Sequence, residues 1–118
     1  MRTTMKMPSD PKYFEDLGRL APSHRFIMEN PGCKVGRMSD MMTAEELEQS
    51  EFYHRFMKPE GWRYAAALFF WNDEEFIGHL SFTRTADQGD YTDEELHQLR
   101  MVYRDILTAV NRVRVVEQ

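Results

Sequence analysis

The sequence is poor in the residues that build several common kinds of functional site. It has one cysteine, Cys33, so no disulfide can form within the chain, and a reducing cytoplasm is the expected location. Its six glycines form no Gly-x-Gly-x-x-Gly or Walker-type loop, which excludes nucleotide phosphate binding of those kinds. No apolar run approaches the roughly 20 residues that cross a bilayer, and the N-terminus lacks the apolar core of a secretory signal. We therefore expect no membrane partner.

Metal-binding and catalytic patterns are also missing. His24, His54, His79 and His97 form no His-x-x-x-His pair, and a single cysteine forms no Cys-x-x-Cys pair, so no zinc site is expected. Cys33 could act as a nucleophile only beside a histidine and an orienting group, and a buried structural thiol is the simpler interpretation. We predict a non-enzymatic chain without catalytic residues, metal or cofactor.

Chain length and net charge limit the number of domains and the kinds of partner that can be expected. The 118 residues are 42% hydrophobic and 13% aromatic, which suits one globular domain over 1–118 with a disordered start at 1–8. The net charge of −5 argues against direct nucleic-acid binding by this chain, because phosphate contacts need clustered Lys and Arg.

Two helix starts follow the same local plan. In "MTAEEL" Thr43 is followed three residues later by Glu46, and in "YTDEEL" Thr92 is followed by Glu95. Each pair predicts a capping box. We expect the first of these helices to reach about residue 57, with a break near Ser50, and the second to run to about residue 115. An earlier helix is expected to start at Asp10.

The stretch "WRYAAALFFWNDEEFIGHLSFTR" predicts a β-hairpin with arms at 62–71 and 75–84. The first arm is apolar on both of its faces, which predicts a central strand covered on each side. A short strand is expected at 33–38. Helices around an antiparallel, hairpin-based sheet indicate an α+β fold.

The second arm is half polar. Because side chains alternate across a strand, one face should carry Phe76, Gly78, Leu80 and Phe82. The other, more polar face should carry Ile77, His79, Ser81 and Thr83. The polar face is either exposed to solvent or lines a cavity. His79 is then either a surface histidine or a pocket group whose charge changes near neutral pH.

Apolar residues of the last helix recur every three or four positions, a heptad-like stripe. This pattern suits a core helix and equally a dimer interface. The candidate interface residues are Leu99, Tyr103, Ile106, Val110 and Val113.

A family resemblance rests on these same segments. "RTADQGDYTDEELHQLRMVYRDILTAVNR" after "FIGHLSFTR" resembles the closing strand and helix of GAF-like sensor domains. The similarity is greatest to those at the N-terminus of LuxR-type helix-turn-helix regulators, and it covers about 10–114. It implies an antiparallel sheet with helices on both sides, in a family of which many members bind small molecules or dimerise.

The chain departs from that family in two ways. The first strands of such domains have no evident counterpart here, and the DNA-binding helices expected downstream are absent. The chain is then a partial domain, or a short protein whose sheet edge must be covered. Because an exposed interior-type edge promotes aggregation, we expect a homodimer. GAF enzymes that reduce methionine sulfoxide rely on several cysteines, so that activity is not expected.

Two functional hypotheses follow from the resemblance and the residues. The first is a cytoplasmic sensory domain of a transcriptional regulator, which binds an unidentified small molecule between the sheet and residues 33–57 and signals through the last helix. Its expected ligand-binding residues are Trp62, Tyr64, Leu68, His79 and Ser81. The alternative is a ligand-free homodimerisation or protein-interaction module.

Overall fold

The computed structural model describes residues 12–117, apart from the side chains of Phe14 and of 113–117. The helix cap predicted at Asp10 and the disordered start predicted at 1–8 lie outside the described residues. Two short helices open the described part, α1 at Tyr13–Leu20 and α2 at Pro22–Glu29. Pro22 occupies the first turn of α2, where its missing N–H leaves no helical bond unmade.

Three strands form one antiparallel sheet in the order β1-β2-β3: β1 at Val35–Arg37, β2 at Tyr64–Asn72 and β3 at Glu75–Arg84. Together with the flanking helices they confirm the predicted α+β class. β2 and β3 are the predicted hairpin, joined at Asp73 and Glu74. β2 is the central strand, as the apolar character of both its faces predicts.

The segment between β1 and β2 is helical but interrupted. It contains α3 at Met38–Met41, α4 at Ala44–Gln49, a π-helix at Tyr53–Met57 and a 3₁₀ turn at Lys58–Glu60. Thr43 caps α4 through both bonds of the predicted capping box. α4 ends at Gln49, and the extended backbone of Ser50 produces the predicted break.

A short 3₁₀ turn at Ala86–Gln88 leads to α5, which runs from Asp93 to Glu117. The Thr92 hydroxyl accepts from the Glu95 amide, and the Glu95 carboxylate accepts from the Thr92 amide, so the second capping box is confirmed. Within residues 12–117, no helix combines the length and apolar character that a bilayer crossing needs.

The two faces of β2 are covered by different parts of the chain. On one face Ala66, Leu68 and Phe70 pack with Leu96 and Tyr103 of α5. On the other face Ala65 packs beside a cluster formed by Met38, Leu47 and Met57. The Phe69 ring on that second face lies 5.8 Å from the ring of Phe26 in α2. The sheet is therefore a middle layer between α5 and the helices that precede β2.

The face assignment predicted for β3 is wrong at its first residues. Phe70 pairs with Gly78, but Trp71 pairs with Phe76, so Ile77 is an extra residue in a β-bulge. The bulge puts Ile77 against the α5-side core and turns the Phe76 ring towards Trp71 and His79. From Gly78 onward the predicted alternation is correct.

Candidate functional site

The structure does not bring the five expected ligand-binding residues together. Leu68 has no exposed surface, and it lies with Tyr64 in the core on the α5 side of the sheet. The register pairs His79 with Phe69 and Ser81 with Ala67, which puts both on the opposite side, where they are exposed. Trp62 is 38% exposed ahead of β2. One ligand cannot contact groups on both sides of a sheet.

The expected ligand volume between the sheet and residues 33–57 is occupied by side chains at Gly36. A Cβ added to Gly36 would lie 2.7 Å from the Met41 Cε and 2.9 Å from the Phe69 Cε2. Both distances are shorter than ordinary van der Waals contact. Phe69 itself has no exposed surface. At this point the helical segment contacts the sheet directly.

The stripe predicted as a dimer interface packs within its own chain. Tyr103 is 5% exposed and its hydroxyl donates to the Phe69 carbonyl at 2.7 Å. Burial raises the pKa of Tyr103, so the hydroxyl stays protonated and keeps donating. Leu99, Ile106 and Val110 pack partly buried against the same core. The side chain of Val113 lies outside the described residues. The core interpretation therefore accounts for the stripe up to Val110.

The outer strand β3 is the least covered part of the sheet. It has ten residues and pairs only with β2 in the described part of the chain. Leu80 is 42% exposed although it points to the α5 side, and Phe76 is 37% exposed. His79, Ser81 and Thr83 are exposed on the other side. α5 and the preceding helices thus cover β1 and β2 and leave much of β3 open.

One hydrogen bond of β2 shows which residues of β3 point their backbone N–H and C=O groups towards β2 and which point them outwards. The Phe69 amide donates to the Lys34 carbonyl at 2.8 Å, so the backbone groups of Phe69 point away from β3. Because backbone groups alternate in direction along a strand, its neighbours Leu68 and Phe70 point towards β3. Their partners are Leu80 and Gly78.

The remaining β3 residues have the opposite direction. His79, Ser81 and Thr83 direct their N–H and C=O groups to the outer edge. Among residues 12–117, no backbone group pairs with this edge of the sheet.

A network of charges anchors the start of α5. Arg37 donates to the Tyr91 carbonyl at 2.6 Å, to Asp93 at 2.9 Å and to Asp40 at 3.1 Å. The hydrogen bond to Asp40 contributes most to raising the pKa of Arg37. Ser39 donates to Asp90 at 2.6 Å. These contacts join β1 and α3 to the loop before α5.

Arg84 completes this network from β3. Its guanidinium lies 4.0 Å from the centre of the Tyr91 ring and binds the Glu95 carboxylate with two nitrogens. That ion pair, followed by the bond from the Thr92 amide, lowers the pKa of Glu95 to about 2. The two arginines have carboxylate partners, so the network is better suited to holding α5 than to proton transfer.

Residues 12–117 contain no group of three or more His, Cys, Asp or Glu placed to hold a metal ion. The Cys33 thiol is half-buried and donates to the Val35 carbonyl at 3.3 Å.

Sequence reasoning named His79 and Ser81 for their side chains and missed their free backbone groups. The bulge, which re-aims Phe76, was also missed. An isolated glycine within a strand pattern is a signal of a bulge, and Gly78 stands beside this one. The contacts of Arg37 with Tyr91 and Asp93 have no local signal, because these residues lie 54 and 56 positions further along the chain.

Comparisons of the chain with protein-family models, with curated proteins and with solved structures find no match.

Proposed function

We propose that the chain is a non-enzymatic, GAF-like regulatory module that forms a homodimer through the outer edge of β3. The observation that carries the proposal is the open β3 edge, where three alternate residues direct backbone groups outwards. Such an edge binds another extended strand unless something covers it. A second copy of the chain is a matching partner, because antiparallel pairing of two identical edges satisfies donors and acceptors in both copies.

One register uses all three outward-facing residues. With Ser81 on the two-fold axis, Ser81 lies opposite Ser81 of the second copy and His79 lies opposite Thr83 of the second copy. Because the backbone groups of these residues point outwards, both are hydrogen-bonded pairs. On the α5 side, Leu80 then lies opposite Phe82 of the second copy. Leu80 is 42% exposed and Phe82 partly buried, so this contact removes apolar surface from water. The proposed interface replaces the α5 stripe, whose residues up to Val110 already belong to the core.

In this proposal the dimer signals through α5, because dimer formation fixes the relative position of the two α5 helices. The packed stripe of α5 reaches Val110, and the helix continues to Glu117. Two copies joined at β3 would hold their α5 helices at a set separation, as a dimeric transcriptional regulator requires of its sensory domain. The proposal includes a cytoplasmic location, supported by the single cysteine, and no direct nucleic-acid contact, supported by the net charge of −5.

The test is the mass in solution over a concentration series, measured by light scattering and native mass spectrometry. The wild-type chain is expected to form dimers as concentration rises. Leu80→Lys puts an ammonium group opposite Phe82 of the second copy and should weaken the dimer about tenfold or more. Ser81→Pro removes an outward N–H without touching the bonds to β2 and should also weaken it.

Gln98→Lys is the matched control, since it adds the same charge on an exposed position of α5. It should dimerise like the wild type, and far-UV circular dichroism should report the same helix content in all four proteins. A wild-type chain that stays monomeric, or Leu80→Lys and Ser81→Pro variants that dimerise normally, would rule out the β3 interface.

A further inference from the structure

Two exposed apolar side chains, Leu80 and Val102, lie on neighbouring elements. Leu80 points to the α5 side of β3 and is 42% exposed, and Val102 of α5 is 43% exposed. Glu95 binds Arg84 of β3, and Val102 follows Glu95 by seven residues, which is about two helical turns. Val102 therefore lies on the flank of α5 that faces β3.

The two residues also lie at a similar level along the sheet. The Tyr103 ring stacks on the ring of Phe70, whose partner in β3 is Gly78. Val102 and Leu80 stand next to that level on their own elements. Half-buried apolar residues continue the same surface along β3 and α5: Phe82, Leu99 and Ile106.

In the proposed dimer this surface becomes a groove between two helices. α5 packs on β2 and β1, since Leu68 and Val35 belong to its core, and it leaves β3 uncovered. With two β3 strands side by side, the axes of the two α5 helices are about four strand spacings, or 19 Å, apart. Packed helices lie about 8–10 Å from each other, so one further helix fits between them.

We call this space the central groove. Its floor is formed by Leu80 and Phe82 of both copies, and each wall is the flank of one α5 that carries Val102. Contiguous apolar surface of this kind on a soluble protein marks a site of interaction.

The borders of the central groove are acidic. Glu94 and Asp105 are exposed on the outer side of the α5 flank, and neither forms an ion pair with another described residue. Glu75 and Asp87 are each six positions from Ser81, so the proposed register brings the acidic hairpin turn of one copy near Asp87 of the second copy. Both of these carboxylates are exposed. Such borders attract a partner with basic side chains.

The cations of α5 are placed away from the groove. Asp93 binds Arg37 of β1, and Arg100 follows Asp93 by seven residues, so Arg100 lies on the opposite flank of the helix. Arg104, one turn further, lines a cleft beside residues that precede β1. Arg112 is beyond Val110, where the packed stripe ends. The groove therefore keeps its negative charge along the packed part of α5.

We propose that the central groove binds one amphipathic helix of a partner protein, with lysines or arginines on both sides of its apolar face. This inference rests on the proposed dimer. The apolar face of the bound helix covers Leu80, Phe82 and Val102, and its basic residues reach Glu94 and Asp105. Because the groove lies on the two-fold axis, one helix fills it in each dimer.

The probe is a synthetic peptide of leucine and lysine, about 15 residues long, with leucines at the three- and four-residue spacing of one helix face. Isothermal titration calorimetry and native mass spectrometry should show one peptide per two chains. A scrambled peptide of the same composition has no apolar face, and a leucine and glutamate peptide has the wrong charge. Both should bind about tenfold or more weakly than the probe.

Val102→Gln removes an apolar contact and Asp105→Asn removes a charge from both walls of the groove. Each should weaken binding of the probe about two- to tenfold and leave the mass of the peptide-free dimer unchanged. Glu60→Gln is the matched control, because it removes a carboxylate from an exposed position of the segment on the other face of the sheet. Its affinity for the probe should equal that of the wild type.

The outcomes separate this proposal from the dimer itself. A chain that dimerises in the mass series but does not bind the probe would overturn the groove proposal alone. Equal binding of the scrambled peptide, or normal affinity in both groove variants, would overturn it as well. A chain that stays monomeric would overturn both the dimer and the groove.

Discussion

At the scale of single residues, Gly36 marks the closest approach between the helical segment and the sheet. We expect Gly36→Ala to destabilise the fold by about 1–3 kcal/mol, because the new methyl group overpacks a buried contact. Met41 can move its terminal methyl, but the fully buried Phe69 ring cannot easily retreat. Urea denaturation monitored by circular dichroism measures the change.

Gly18→Ala provides the matched comparison for that variant. Gly18 lies in α1, and a Cβ added there would meet nothing within 4 Å. The same substitution should therefore stabilise the chain by roughly 0.5–1 kcal/mol through helix propensity. A Gly36→Ala variant as stable as the wild type would show that residues 36–41 do not pack tightly on Phe69.

Glu95 gives a pH-dependent prediction. Its pKa falls from 4.5 to about 2 in the folded chain, chiefly because of the bond from Arg84. A depressed folded-state pKa stabilises the protein above the unfolded-state value, and this stabilisation is lost as the pH falls from about 4.5 towards 2. Glu95→Gln should therefore be less stable than the wild type at neutral pH, and the difference should vanish near pH 2.

The measurement is the urea midpoint of both proteins at several pH values between neutrality and pH 2. Glu94→Gln, at the exposed neighbouring position, controls for the loss of one carboxylate in the first turn of α5. A difference between Glu95→Gln and the wild type that does not change with pH would contradict the role assigned to the Arg84 pair.

At the scale of elements, α5 tests whether its apolar stripe is core or interface. Ile106 packs partly buried against the core. Ile106→Asp should therefore lower the free energy of unfolding by about 2–5 kcal/mol. Val102→Asp, at a 43% exposed position on the same helix, should cost less than about 1 kcal/mol. Thermal denaturation measures this loss of stability. An Ile106→Asp variant that is as stable as the wild type but has a different oligomer mass would instead identify the stripe as an interface.

The elements with local signals could be predicted from the sequence. Both capping boxes join residues three apart, and the apolar arm of the hairpin predicts a central strand without any long-range information. The heptad-like spacing of α5 identified one packed face but not its partner, since a core and an interface require the same periodicity. The bulge at Ile77 shifted two side chains because one extra residue reverses the alternation.

At the scale of the whole molecule, the sites depend on which segments the fold brings together. A shallow cleft beside the hairpin turn is lined by residues of a loop, the turn and α5, and no spacing in the sequence links its Lys34 to its Arg104. Arg37 likewise reaches Tyr91 across 54 positions of the chain. The need to cover a sheet edge was predictable from the hairpin. The sequence did not show which strand forms that edge. In the structure β1 pairs with one side of β2, so β3 is the long strand at the edge of the sheet.

The central claim is that β3 pairs with β3 of a second copy, and amide hydrogen exchange tests it most directly. Exchange rates should be compared above and below the dimer dissociation constant obtained from the mass series. The amides of His79, Ser81 and Thr83 should exchange quickly in the monomer and become protected in the dimer. Those of Leu80 and Phe82, which face β2, should be protected in both. Exchange at His79, Ser81 and Thr83 that is equally fast at both concentrations would contradict the claim.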